Sequence, residues 1–88
     1  MNSNQAIFFI FDELREGQKK YPDWPEDPVL ASAILAAESS KLSQACIDYA
    51  DNKASDEKMI KEAAQAGAAA IRFIMNMAKY RRTKPDQD

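Results

Sequence analysis

Four polar side chains fall into two pairs of equal spacing: Glu38 with Lys41, and Glu62 with Gln65. Three residues is close to one helical turn, so each pair shares a helix face. Around the first pair, Ile34, Leu42, Ala45 and Tyr49 follow the same period, so a carboxylate and an ammonium interrupt the apolar stripe. That interruption has three chemical explanations: an ion pair, a metal site, or the remnant of one. The chain contains no histidine, which excludes His-ligated zinc and Ser-His or Cys-His catalysis from within it. Any metal would be held by oxygen, as Mg²⁺ or Mn²⁺.

The elements that position these pairs must be helices. Two glycines and four prolines in 88 residues, with abundant Ala, Glu, Lys and Gln, favour helix over sheet. At 45% hydrophobic and 30% charged, the composition is that of one small globular domain. The single cysteine, Cys46, cannot form an internal disulfide, so a reducing, cytoplasmic compartment is the expectation. "AIFFIF" at 6–11 is too short to span a bilayer and lacks the flanks of a signal peptide, so it reads as core. Acids outnumber bases 11 to 5 over residues 1–57, and bases outnumber acids 7 to 3 over 58–88. The basic cluster Lys79, Arg81, Arg82 and Lys84 reads as a solvated helix end, where cations suit the macrodipole, and DNA is not the expected partner.

The apolar period of Ile7, Phe8, Phe11 and Leu14 predicts a first helix from about Asn4 to Lys20, capped by Ser3, with Gly17 weakening its last turns. "YPDWPEDP" at 21–28 is a proline-rich loop that ends well, with Asp27 as N-cap and Pro28 at the first helical position. Helix 2 is expected to reach about Asp51. After the turn "NKAS", Ser55 caps a helix 3 running to about Arg82. So short a turn forces an antiparallel hairpin. The domain spans residues 1–82, and 83–88 read as a disordered tail.

Helix 3 carries "EAAQAGAAAIRF", with small residues spread almost all round, so it expects neighbours on more than one side. One hairpin and one short helix do not supply them, and self-association into a four-helix core is the expectation. Alanine serving helix propensity alone is the plainer alternative.

In that hairpin, two i,i+3 polar pairs would face each other, as metal ligands do inside helical bundles. Together with "WPEDPVLASAILAAESSKLSQA" and "IKEAAQAGAAAIRFI", they resemble the MazG-like all-α nucleoside triphosphate pyrophosphohydrolases over roughly residues 5 to 80. That family's signature is two adjacent glutamates, a third glutamate three residues on, and a Glu-x-x-Asp on the next long helix. Glu38 matches the second glutamate and Glu62 the first acid of the second motif. Ala37 replaces the first glutamate, Lys41 the third, and Gln65 the aspartate.

The resemblance implies an all-α fold, a short N-terminal helix plus a long antiparallel hairpin, assembled as a four-helix-bundle-like homodimer or homotetramer. It implies Mg²⁺-dependent cleavage of nucleoside triphosphates to monophosphate and pyrophosphate. Glu38 and Glu62 would be the remaining metal ligands, enough for one ion; Trp24, Lys41, Gln65 and Arg72 would meet the nucleotide. With two carboxylates lost, the chain is either a divergent enzyme with a depleted metal site or a silent nucleotide- or protein-binding member of the fold. Plainer readings stand beside each residue. Glu38–Lys41 can be a helix-surface salt bridge, Asp48 a second partner for Lys41, Trp24 a plug over the core, Arg72 a surface residue, and Cys46 a small core residue.

Overall fold

The computed structural model describes residues 1–82. Over them the chain forms three α-helices, α1 (Ser3–Lys20), α2 (Pro28–Ala50) and α3 (Asp56–Met75), then a short 3₁₀ turn, Met77–Lys79. The described residues contain no strand. The expected tail at 83–88 lies outside them.

α1 and α2 each begin where a side chain satisfies a free backbone N–H group. α1 starts one residue earlier than expected and is capped by Asn2, not Ser3. Asn2 Oδ1 accepts from the Gln5 backbone N–H at 2.9 Å while Gln5 Oε1 accepts from the Asn2 N–H at 2.8 Å, a reciprocal capping box. α1 continues through Gly17 to Lys20, and the Gly17 carbonyl accepts from Tyr21 N–H at 2.8 Å. α2 starts as expected: Asp27 Oδ1 accepts from Val29 N–H at 2.9 Å, and Pro28 fills the first helical position. It ends at Ala50, and Asn52 takes the left-handed conformation (φ 59°) that turns the chain toward α3. Ser55 precedes α3 in an extended conformation, and its side chain makes no capping bond.

α3 stops at Met75, well short of Arg82. Asn76 Nδ2 donates to the Arg72 carbonyl at 2.8 Å, competing with continuation of the ladder. The chain then folds back. Tyr80 packs on Phe73 with ring centroids 4.9 Å apart, and its hydroxyl donates to the Phe73 carbonyl at 2.9 Å. Arg81 N–H reaches the Glu26 carbonyl at 2.9 Å, and its guanidinium pairs with the Glu26 carboxylate at 3.4 Å. Of the basic cluster, Lys79 closes the 3₁₀ turn, Arg81 is tied to the loop before α2, and Lys84 lies outside the described residues.

α3 is the central element. It packs against both α1 and α2, whereas α1 and α2 do not come within 8 Å Cα to Cα. This matches the all-round small surface of its middle. Gly67 makes the approach of α1 possible, since a Cβ there would sit 3.1 Å from Ile10 Cδ1. Among the described residues, the buried apolar ones are all alanines, Ala31, Ala45, Ala64, Ala68 and Ala69. Several large side chains expected in the core are not there: Phe8, Phe9, Phe11 and Tyr49 are exposed. Cys46 is exposed too. Ala45 takes the position facing α3, and the next residue is turned about 100° away.

Candidate functional site

Because α1 and α2 flank α3 without meeting, an open cleft of about 920 Å³ lies between them over α3. Lys61, Gln65, Ala68, Ala69 and Arg72 of α3 form its floor. Glu13, Leu14, Gly17 and Lys20 supply the α1 wall, and Ile34, Glu38 and Lys41 the α2 wall. Tyr21, Asp23 and Trp24 close one end. Five of the six residues singled out from sequence thus share one cavity. Glu62 does not line it.

Helix face explains that exclusion: Lys61 and Gln65, four residues apart, share the cleft face of α3, while Glu62, about 100° round from Lys61, is buried off it. α2 ends at Ala50 and α3 starts at Asp56, so Lys41 (50 − 41 = 9) and Gln65 (65 − 56 = 9) lie at the same distance from the turn, and both line the cleft. Glu38 lies twelve residues from the turn (50 − 38) and Glu62 six (62 − 56), which separates them by about 9 Å along the hairpin.

Within the cleft, Lys41 Nζ lies 3.4 Å from Glu38 Oε1. The carboxylate is mostly covered, with 22% of its side chain exposed, while the lysine is 59% exposed. The other oxygen, Glu38 Oε2, is buried without a hydrogen-bond partner. Asp48 is not a second partner for Lys41; it accepts from Gln44 Nε2 at 2.9 Å. Gln65 Nε2 donates to Glu13 Oε2 at 3.3 Å, joining floor to wall. Outside the cleft, Glu62 pairs with Lys58 at 3.1 Å, and its Oε2 is likewise buried and unpartnered.

Arg72 is buried, at 9% exposure, not a surface residue. Its guanidinium sits 4.9 Å from the Trp24 ring centroid, and its Nη1 donates to the Gly17 carbonyl at 3.4 Å. Trp24 is half-buried, and its Nε1 donates to the Tyr80 hydroxyl at 2.8 Å. It therefore has the anchored position of a plug while still lining the cleft. Tyr80, Glu13 and Lys61 were not singled out from sequence. Tyr80 sits past the expected helix end with no local pattern; Glu13 follows Ile10 by three residues, so its place on the inward side of α1 could have been read.

Among the described residues, no three His, Cys, Asp or Glu side chains cluster so as to hold a metal ion. In the cleft, the one unpaired carboxylate oxygen near Lys41 belongs to Glu38, whose other oxygen already carries the ammonium. Charges of both signs line the cavity, with one cation in excess: Lys19, Lys20, Lys41, Lys61 and Arg72, against Glu13, Glu16, Asp23 and Glu38. This arrangement can take an anion with a flat, apolar portion beside the indole.

No helix of the described residues is long and apolar enough to cross a membrane. No protein-family model, curated protein or solved structure matches the chain at a significant level.

Proposed function

We propose that the chain is a divergent MazG-like protein that binds a nucleoside triphosphate in the α1–α3–α2 cleft, with pyrophosphohydrolase turnover strongly reduced or lost. The observation that carries this reading is the ammonium of Lys41 seated on Glu38, where the resemblance expects a third carboxylate. A lysine there repels a divalent ion and attracts phosphate. Lys41 and Lys61 would neutralise phosphate oxygens, Gln65 would donate to them, and Arg72 would hold Trp24 in place beside the base. Mg²⁺ would then arrive with the nucleotide, as its counterion, and not as a group held by the protein. The protein would act as a homodimer or homotetramer, and an exposed thiol at Cys46 suits a cytoplasmic setting.

The alternative of a working pyrophosphohydrolase keeps the same cleft but needs metal to neutralise phosphates and activate water. The two part on metal dependence. Trp24 is the only tryptophan, so its fluorescence reports ligand entering the cleft. Titration with a non-hydrolysable nucleoside triphosphate in EDTA should change that fluorescence, and pyrophosphate release from the natural nucleotides should stay far below about 1 s⁻¹. No response in EDTA, with release at or above that rate in Mg²⁺, would replace this reading by the enzyme.

A further inference from the structure

Arg72 is the one buried cation of the cleft, and among the described residues no carboxylate pairs with its guanidinium. Its side chain makes one long hydrogen bond, 3.4 Å to the Gly17 carbonyl, and lies over the face of Trp24. A guanidinium carries five N–H donors in a fixed fork. The indole face and the nearby C-terminal end of α3 favour a cation, but neither accepts that fork. The four lysines of the cleft are exposed, so water can serve them. A buried charge is ordinarily paired, and this one lines an open cavity.

The charges along the cleft are unevenly spread. At the Lys41 end, Lys41 and Lys61 stand against Glu13 and Glu38 in equal number. At the Trp24 end, Lys19, Lys20 and Arg72 stand against Glu16 and Asp23, and Lys19 already pairs with Glu16 at 3.9 Å. The surplus cation is therefore at the Trp24 end. Between the two ends the floor is Ala68 and Ala69, and the walls carry Leu14 and Ile34. Lys61 and Arg72 are eleven residues apart on α3 (72 − 61), about 16 Å along that floor. Cations at both ends of an apolar middle suit a ligand that is anionic at both ends.

We infer that Arg72 is a second anion site of the cleft, so that the nucleotide held there carries, besides its phosphate chain, an anionic oxygen group on its base side. That group is a phosphate on the ribose or a carboxylate on the base. The open edge of the guanidinium takes either through parallel N–H···O bonds while its face stays on the indole, and Lys20 adds charge from the rim. This inference rests on the proposed nucleotide reading and names the class of nucleotide.

The test is calorimetric affinity in EDTA for two pairs of nucleotides, with a non-hydrolysable nucleoside triphosphate as reference. One pair is adenosine bisphosphate, with a phosphate on each side of its ribose, and adenosine monophosphate. The other is orotidine monophosphate and uridine monophosphate, which differ by a carboxylate on the base. At least one doubly anionic member should bind about tenfold tighter than its partner, and which one does so tells phosphate from carboxylate. Lys41→Met should weaken both members of that pair alike and keep their ratio, whereas Arg72→Met should abolish it. If Arg72→Met does not fold, Arg72→Lys, which lacks the fork, should lose most of the gain. No gain within either pair, while the triphosphate binds, overturns this inference and leaves the nucleotide reading standing. A gain that survives the Arg72 substitution also overturns it, because general charge attraction would then account for it. If neither the triphosphate nor any of the four nucleotides binds, both fall.

Discussion

Lys41 Nζ rests 3.4 Å from Glu38 Oε1 while the second oxygen of the same carboxylate is buried with no partner. A carboxylate half paired and half orphaned is a poor way to stabilise a helix. The exposed lysine adds little, roughly a few tenths of a kcal/mol for such an i,i+3 pair, and the orphaned oxygen costs more. The arrangement suits a ligand that brings its own donor or counterion to Glu38 and its own phosphate to Lys41.

Lys41→Met should therefore separate binding from stability. We expect unfolding free energy, measured in urea, to change by less than about 0.5 kcal/mol. Nucleotide affinity should fall about tenfold, roughly 1.4 kcal/mol. Equal losses in both would make the pair a structural contact only.

Tyr80 is expected to hold the cleft's closed end. Its hydroxyl accepts from Trp24 Nε1 and donates to the Phe73 carbonyl, so Tyr80→Phe strands two partners at once. The predicted loss is about 1–3 kcal/mol in chemical denaturation, with a shift in the Trp24 emission of the folded protein. An unchanged spectrum and midpoint would mean that the Trp24 loop is held by Arg72 and Glu26 alone.

Two glycines in helices should respond in opposite directions. A Cβ at Gly17 meets nothing within 4 Å, so Gly17→Ala should gain the helix-propensity difference, about 0.5–1 kcal/mol. At Gly67 a Cβ would lie 3.1 and 3.2 Å from Ile10 Cδ1 and Cγ1. There the crowding, about 1–3 kcal/mol, exceeds the same propensity gain, and Gly67→Ala should lower the midpoint of thermal melting. A stabilised Gly67→Ala would show that α1 does not sit as close to α3 as described.

Much of this was legible because it depends on local chemistry. Asp27–Pro28 announced the start of α2, and the short turn before Ser55 imposed the hairpin. The i,i+3 pairing of Glu38 with Lys41 was readable from spacing alone. What escaped was tertiary. The end of α3 depends on Asn76 and on Tyr80 reaching back to Trp24, a contact across 56 residues with no local trace. The absence of Glu62 from the cleft depends on which face of α3 the flanking helices leave open: Lys61 and Gln65 share it, and Glu62 is turned about 100° from Lys61. The exposure of Phe8, Phe11 and Cys46 depends on which faces find a neighbour, and helical period shows an apolar face without naming what covers it.

The identity of position 41 should also set the response to metal. Ala37→Glu with Lys41→Glu rebuilds the carboxylates that the resemblance expects on α2, at little cost in helix propensity. Without metal the variant should melt below wild type, because the new glutamate faces Glu38 where an ammonium stood. Millimolar Mg²⁺ or Mn²⁺ should raise its melting temperature, by about 2.7 kcal/mol of stability at a hundredfold excess over the dissociation constant. Wild type should ignore the metal. A variant indifferent to metal would place position 41 on an ordinary solvated face.

The most direct measurement is calorimetric titration of wild-type protein with a non-hydrolysable nucleoside triphosphate, once in EDTA and once in Mg²⁺, repeated with Lys41→Glu. If cations of the cleft have taken over the phosphates, wild type binds in EDTA, and Mg²⁺ does not tighten binding by more than about threefold, under 0.7 kcal/mol. Lys41→Glu should bind only when Mg²⁺ is present. Wild-type binding that vanishes in EDTA and returns with Mg²⁺ would contradict the account, because the metal and not Lys41 would then be holding the phosphates.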